Sequence, residues 1–376
     1  MDYNVPLKEG AISDDTRIRE SLPTIEHCLK SGAAVILCAH LGRPKGSVNL
    51  KYSLQPAAAR LAELLKKPVA FSSDCVGQEA KSKAAALKPG EVLLLENLRF
   101  HPQEEKNDET FVGQLASLAQ VFVQDAFGAV HRAHASTLAV TQFLPSAAGF
   151  LLEKEISTLS RLLKNPARPF VAVLGGAKVS DKIGVIENLA KIADTLVIGG
   201  AMAYTFLKSQ GVPVGNSLVE EDKIDLAKQI LSSHKNLILP LDHRAAQKIE
   251  KGASVQATSG TRIEAGWIGV DVGPKTSEKI ASVFSDAKTI LWNGPLGIFE
   301  IPEFAQGTMD CASQVAQATK QGAFSVVGGG DSVAAVTQGG FAKFISHIST
   351  GGGASLEFLE GKVLPGVAAL EDAVHV

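Results

Sequence analysis

The chain has 376 residues, too many for one typical core, and this sets the expectation of two domains of ordinary size. With 45% hydrophobic and 20% charged residues, it has the apolar content of a globular protein, which excludes a disordered one. A formal net charge of −2 argues against a general nucleic-acid or membrane-surface binder, so any strongly cationic site must be local.

In chain order, short runs rich in Val, Ile, Leu and Phe alternate with longer stretches of helical periodicity. This is the pattern of parallel βαβ units, and the near-continuous apolar runs predict strands buried on both faces. In the first half the predicted strands are Ala34–Ala39, Pro68–Phe71, Glu91–Leu95 and Val121–Gln124. In the second half they are Phe170–Leu174, Thr195–Ile198, Leu237–Pro240, Trp267–Val270, Thr289–Trp292, Phe324–Val327 and Phe344–Ile348. Between the halves, apolar residues at 152, 156, 159 and 163 run up to the stop signal Asn165-Pro166 and predict a connecting helix within 151–166. The expected architecture is therefore α/β, with two doubly wound parallel-sheet domains joined by a helix and a cleft that closes about a hinge. The domains span 1–150 and 167–355, and a C-terminal segment follows at 356–376.

No apolar run reaches the ~18 residues a membrane span needs, and the opening MDYNVPLKEG has neither the basic start nor the apolar core of a signal peptide. Cys28, Cys38, Cys75 and Cys311 form no CxxC pair or metal-ligand spacing, which suits ordinary buried thiols in a reducing compartment. A soluble, cytoplasmic protein is expected.

In open parallel sheets, ligands bind beyond the carboxyl ends of the strands. Nearly every unusual cluster here falls at such an end. His40-Leu41-Gly42-Arg43-Pro44 follows the first predicted strand, Glu96-Asn97-Leu98-Arg99 the third, and a string from Asp125 to His134 containing Arg132 the fourth. These clusters offer Arg and His to a small anion. The second-half ends carry Gly175-Gly176-Ala177-Lys178, Gly199-Gly200-Ala201, Trp292-Asn293-Gly294-Pro295, Gly328-Gly329-Gly330-Asp331-Ser332 and Thr350-Gly351-Gly352-Gly353. Glycine lets backbone N–H groups approach an anion closely, and a following helix N-terminus adds a favourable dipole, so these strings suit phosphate or nucleotide. Neither GxxxxGK[ST] nor a complete GxGxxG is present, which counts against a P-loop NTPase and a Rossmann dehydrogenase. One half suited to a small anion and another suited to a nucleotide is the layout for transfer between two ligands.

Each cluster also has a plainer reading. Gly199-Gly200 suits a tight turn as well as a ligand, and Asp331 suits a helix N-cap as well as Mg²⁺. His131, Arg132 and His134 could be a solvated loop. Lys178 and Lys182, four apart at a predicted helix start, would share one face, where a surface ion pair is the plainer role.

Together and in this order, the strings resemble the phosphoglycerate kinase family over essentially the whole chain. They are Asp2-Tyr3-Asn4-Val5-Pro6-Leu7, Thr16-Arg17-Ile18, His40-Leu41-Gly42-Arg43-Pro44, Leu95-Glu96-Asn97-Leu98-Arg99-Phe100, Asp125-Ala126-Phe127-Gly128, His131-Arg132-Ala133-His134, Gly175-Gly176-Ala177-Lys178-Val179-Ser180-Asp181-Lys182, Trp292-Asn293-Gly294-Pro295 and Gly328-Gly329-Gly330-Asp331-Ser332. The resemblance implies that Asp2, Asn4, Arg17, His40, Arg43, Arg99 and Arg132 hold 3-phosphoglycerate in the first domain. It implies that Gly176, Lys178, Lys182, Gly200, Asn293, Glu300, Gly328, Gly329, Gly330, Asp331 and Ser332 serve ATP or ADP in the second, with Asp331 on Mg²⁺ and Glu300 on the ribose. Arg17, Lys178, Gly329 and Gly352 form the implied catalytic set. Around Leu364-Pro365-Gly366 the chain is expected to return to the first domain, and the protein to work as a monomer without nucleic-acid or membrane partners. The sequence departs from the family pattern at Ala201, where a third glycine is common, and at Ser332, where Thr is common. Only Met1 precedes the Asp2 string, so the first domain is expected to lack its first strand and to hold Asp2 and Asn4 loosely.

The implied reaction is reversible transfer of a phosphoryl group between Mg-ATP and the carboxylate of 3-phosphoglycerate, giving ADP and 1,3-bisphosphoglycerate. A carboxylate is already ionised at neutral pH, so no general base is required and catalysis must come from positioning and charge neutralisation. Two alternatives remain at this level: a dinucleotide-dependent oxidoreductase, and a catalytically impaired nucleotide-binding homologue of the kinase arising from the short N-terminus.

Overall fold

The computed structural model describes residues 1–373, so residues 374–376 of the predicted C-terminal segment lie outside the described residues. The chain divides into two compact units, one of residues 1–157 with the chain from Val363 onward, the other of Thr158–Lys362.

In the first unit, the parallel strands Val35–Leu37, Val92–Leu95 and Val69–Ser72 lie side by side in that order. The central run Val92-Leu93-Leu94-Leu95 is buried throughout. Strand side chains alternate, so Val92 and Leu94 join Tyr3, Ile18, Ile25, Leu54 and Leu61 on one face, while Leu93 and Leu95 join Cys75, Phe111 and Val112 on the other. A second parallel pair, Phe122–Gln124 with Ser146–Ala148, completes this unit's parallel strands. The helix Thr16–Lys30 buries Ile18, Ser21 and Ile25, which puts Arg17 in its first turn.

The second unit is built on a six-stranded parallel sheet. Its order is Leu237–Ile238, Thr195–Ile198, Phe170–Leu174, Thr289–Asn293, Phe324–Gly328 and His347–Ile348. From Phe170–Leu174 the chain builds outward one way, then returns to lay down Thr289–Asn293 on the other side. The switch point therefore falls between these two strands, the place where doubly wound sheets bind ligands beyond their carboxyl ends. Both strands are buried along their whole length, with Leu174 opposite Asn293.

All the predicted strands form, mostly shifted by one or two residues. One expected parallel strand is a correction: Ile268–Val272 pairs antiparallel with His243–Ala246, which pairs antiparallel with Val255–Ala257. The chain between these strands holds turns and no helix, so no crossover exists to make them parallel. The run expected at 344–348 shrinks to His347–Ile348 behind a 3₁₀ turn, Ala342–Phe344. A hairpin, Leu7–Lys8 with Ala11–Ile12, turns at Glu9 and Gly10, both at positive φ.

The connecting helix runs Phe150–Lys164 and stops before Pro166. Its N-terminal N–H groups are satisfied from within the first unit, Phe150 N donating to Thr24 Oγ1 at 2.9 Å and Leu152 N to Asp125 Oδ1 at 3.0 Å. No helix among the described residues is long and apolar enough to cross a membrane.

Candidate active site

The basic strand ends of the first unit converge. Arg17 Nη1 donates to Asp2 Oδ1 at 3.0 Å and to the Asn4 carbonyl at 2.9 Å. Asp2 is buried, and Asn4 N donates to its Oδ1 at 3.1 Å. Asn4 Oδ1 accepts the Gly42 N–H at 2.9 Å, and the carbonyl of Gly42 accepts Arg99 Nη1 at 3.0 Å. One residue thus links the N-terminal string to the third strand end, and Asp2 and Asn4 are tied down on several sides, against the expectation that they are loosely held. Gly42 itself escaped assignment in the sequence. Its φ is +63°, and a Cβ would lie 2.4 Å from Tyr52 Cδ1, so only glycine fits.

Arg99 is held from behind by a buried polar scaffold. Its N–H donates to Asn97 Oδ1 at 3.0 Å, while Asn97 Nδ2 donates to the carbonyls of Leu41 and Tyr52, and Glu96 accepts from Ser53 and Leu54. Burial pulls the Arg99 guanidinium below its ordinary value, and the positive charges of Arg132 and Arg43 pull the same way against Glu105 and Glu104. Arg43 and Arg132 are exposed and carry no carboxylate partner among the described residues. The cluster is thus short of negative charge, the condition for binding an anion. Glu104, also unforeseen, is buried behind it, accepts from Ser136 N and Oγ, and is pushed up to about 6 by burial.

His40 lies within the same cluster, where burial holds its imidazole down at about 3, with Arg99, Arg17 and His134 adding to the effect against Asp2. It is neutral at pH 7, a donor or acceptor rather than a cation. The folded value lies below the ordinary 6.5, so the unfolded chain binds the extra proton as pH falls. His40 therefore contributes a loss of stability that grows as pH drops from 6.5 toward about 3. His40→Gln should flatten the decline of unfolding free energy over this range by up to ~1.4 kcal/mol per pH unit. Urea denaturation at pH 7, 6, 5 and 4.5 reads this, and parallel curves for the two proteins would refute the neutral assignment.

In the second unit, the predicted glycine strings meet at the switch point. Gly175 N donates to the Asn293 carbonyl at 3.0 Å, Gly176 N to that of Pro295 at 3.1 Å, and Gly200 N to that of Leu296 at 3.1 Å. A Cβ on Gly200 would lie 2.5 Å from Gly176 N, so this glycine is required for a close approach of two chains. Lys178 and Lys182 do not share a helix face, a correction to the expected spacing. The helix begins at Ile183 with Lys182 as its cap, and Lys178 is exposed in the loop before it. Neither lysine has an ion pair among the described residues. Lys182 Nζ instead donates to the Gly175 carbonyl at 2.7 Å, the Asn293 carbonyl at 3.0 Å and Asn293 Oδ1 at 2.7 Å. Burial pulls its ammonium down to about 8, while Asp331 and Asp181 pull it back up.

That bond fixes the Asn293 amide with Nδ2 turned the other way. Asn293 Nδ2 is buried without a hydrogen-bond partner, and Cβ positions on Gly328 and Gly329 would lie 3.4 Å and 3.3 Å from it. An orphaned donor over a glycine loop is the signature of a place for an acceptor that the protein does not supply. Gly329, at φ +87°, leads into the helix Gly330–Gln338, whose first turn presents exposed Asp331, while buried Ser332 Oγ accepts the Gly294 N–H. Gly352, at φ +51°, has open space at its Cβ position. Glu300 is exposed on the loop beyond Phe299 and makes no hydrogen bond to this cluster among the described residues.

The chain is similar to known proteins over nearly its whole length. The chain is 54% identical to the phosphoglycerate kinase of Chloroherpeton thalassium, covering 99% of this chain and 95% of that relative. It is 56% identical to the phosphoglycerate kinase of Fervidobacterium nodosum over 99% and 94%. The solved phosphoglycerate kinase of Coxiella burnetii superposes with a TM-score of 0.89 at 42% identity, covering 99% of this chain and 94% of that one. The corresponding structure from Pyrococcus horikoshii OT3 gives 0.87 at 33% identity, with 100% and 95% covered. With the phosphoglycerate kinase family model also matching residues 1–362, the chain belongs to the phosphoglycerate kinase family.

Proposed function

We infer that the chain is an enzyme catalysing reversible phosphoryl transfer between ATP and the carboxylate of 3-phosphoglycerate. The observation that carries this reading is that anion-binding chemistry lies at the strand ends of both units: unneutralised Arg43 and Arg132 beside Arg99 in one, the orphaned Asn293 amide over Gly328 and Gly329 in the other. The alternative of an impaired homologue finds no support in relatives of which the chain covers 95% and 94%.

In this reading, Asp2, Asn4, Arg17, His40, Arg43, Arg99 and Arg132 hold phosphoglycerate. The Asp2 carboxylate orients Arg17 and can accept a hydrogen bond from the hydroxyl of phosphoglycerate, while Arg43 and Arg132 supply the charge. Gly176, Lys178, Lys182, Gly200, Asn293, Glu300, Gly328, Gly329, Gly330, Asp331 and Ser332 serve the nucleotide, and Asn293 Nδ2 with the N–H groups at the start of the Gly330–Gln338 helix is suited to phosphate oxygens. The exposed Asp331 carboxylate fits a hard, oxygen-seeking Mg²⁺, which when bound neutralises nucleotide phosphate charge. Arg17 and Lys178 neutralise charge on the phosphoryl group in transit, with Gly329 and Gly352 admitting it close to the backbone. No residue need take a proton, since the acceptor carboxylate is already ionised. The protein acts as a cytoplasmic monomer on these small molecules alone.

The test is formation of 1,3-bisphosphoglycerate from ATP and 3-phosphoglycerate, coupled to its reduction. Activity should require added Mg²⁺ and vanish with EDTA. Undiminished turnover in excess EDTA would remove the metal role of Asp331, and no turnover with Mg²⁺ present would remove the reading itself.

A further inference from the structure

A second constellation lies in the first unit. Asp74 and Cys75 stand between the strand Val69–Ser72 and the helix Gly77–Ala86, and His101 closes the 3₁₀ turn Leu98–Phe100. One ligand atom from each, a carboxylate oxygen, a thiol sulfur and an imidazole nitrogen, lies within 4.8 Å of the other two. Tetrahedral zinc, with bonds of about 2.0–2.3 Å, sets its donors roughly 3.3–3.8 Å apart, so binding must replace the 2.7 Å hydrogen bond between Asp74 Oδ1 and His101 Nε2 and draw the more distant atoms in by at most about 1 Å. Among the described residues, this is the place where three such side chains meet.

Each member is already oriented. Asp74 Oδ1 accepts the Cys75 N–H at 2.7 Å and sits 2.7 Å from His101 Nε2, while the other carboxylate oxygen has no hydrogen bond among the described residues. The His101 ring packs on Phe111 with centroids 5.3 Å apart, which fixes the direction of its Nε2. Cys75 is 1% exposed and backed by Leu93, Leu95 and Phe111. A turn-forming aspartate bonded to a histidine accounts for two of the three groups. The Cys75 thiol, which also packs in the apolar core, adds a third donor at the same point.

We propose that Asp74, Cys75 and His101 form a binding site for a divalent cation of the zinc type, with water completing the coordination. The mixed sulfur, nitrogen and oxygen set selects a borderline ion and rejects Mg²⁺, which takes oxygen ligands. Binding forms the metal–sulfur bond, breaks the S–H bond and releases the proton to solvent, without redox change. His101 also caps the short helix Pro102–Glu105, whose Glu105 Oε1 is 3.5 Å from Arg99 Nε. On the reading of Arg99 as a phosphoglycerate ligand, occupancy should change KM for phosphoglycerate and leave KM for ATP alone.

The experiment is titration of the metal-free, fully reduced chain with Co²⁺ alone, then displacement by Zn²⁺. One equivalent should produce a thiolate-to-cobalt charge-transfer band together with the visible absorption of a tetrahedral ion. Zn²⁺ should abolish both, and millimolar Mg²⁺ neither. Cys75→Ser should remove the charge-transfer band, and His101→Gln and Asp74→Asn should each weaken Co²⁺ binding at least tenfold. The latter two side chains are only partly buried, so they test the site even if Cys75→Ser fails to fold. Absence of the charge-transfer band in the parent chain overturns the proposal, as does unchanged affinity in His101→Gln and Asp74→Asn.

Discussion

Arg17→Ala is expected to lower kcat by about 10²-fold or more while moving KM for ATP and phosphoglycerate far less. The guanidinium is held against Asp2 Oδ1 and the Asn4 carbonyl, so its position is set before any ligand arrives. A preorganised cation is worth most when charge passes it, because no reorganisation is then required. The substitution also strips a partner from buried Asp2, so a structural loss must be separated from a chemical one. Arg17→Lys keeps the charge but cannot reproduce the fork, and should recover stability better than turnover. Steady-state kinetics and thermal melts on both variants decide the matter. A kcat within threefold of the parent in Arg17→Ala would remove Arg17 from the transfer step.

Gly175→Ala should destabilise the second unit by about 3 kcal/mol or more and abolish nucleotide binding with it. A Cβ here would lie 2.0 Å from the Pro295 carbonyl oxygen and 2.5 Å from that of Gly294. Both obstacles are backbone, and the same backbone is laced to the neighbouring strand end by the Gly175 to Asn293 and Gly176 to Pro295 hydrogen bonds. Nothing can yield without breaking these contacts at the switch point. Gly330→Ala is the contrast, since no atom lies within 4 Å of its Cβ position, and it should cost little stability. Urea denaturation with ATP and phosphoglycerate titrations separates the outcomes: Gly175→Ala should lose ATP binding and keep phosphoglycerate binding. Wild-type stability in Gly175→Ala would show that the glycine turn can relax.

The parallel strands were legible in the sequence because burial on both faces leaves an uninterrupted apolar run, as in Val92–Leu95 and Phe170–Leu174. His-Arg-Ala-Ala at 243–246 and Ser-Ala-Ala at 146–148 carry no such run, and their pairing is dictated by neighbours. Spacing failed for Lys178 and Lys182 because a helix pattern does not reveal where its first turn starts. The strings at the strand ends mark candidate residues, but not which of them are tied to the protein itself. Gly42 shows the difference: it stood in plain view between Leu41 and Arg43, yet its value lies in a left-handed backbone and two hydrogen bonds that depend on chain segments far away. Cys75 and His101 are 26 positions apart by number and no motif joins them, so their meeting is a product of the fold alone.

Lys182 has three N–H bonds and three protein oxygens already receiving them. Its ammonium is therefore coordinated much as a small monovalent cation would be in a cage of carbonyls. A phosphate oxygen that reaches it must evict one of these ligands, and the gain is the difference between two charge-assisted bonds rather than the worth of one. The Asn293 side chain is the ligand able to leave, since the other two are main-chain carbonyls at the strand ends. If it rotates, the same motion redirects the Nδ2 donor that lies over Gly328 and Gly329. A nucleotide oxygen can thus be bound by Lys182 or by the present pose of Asn293, but the two contacts are not independent increments of affinity.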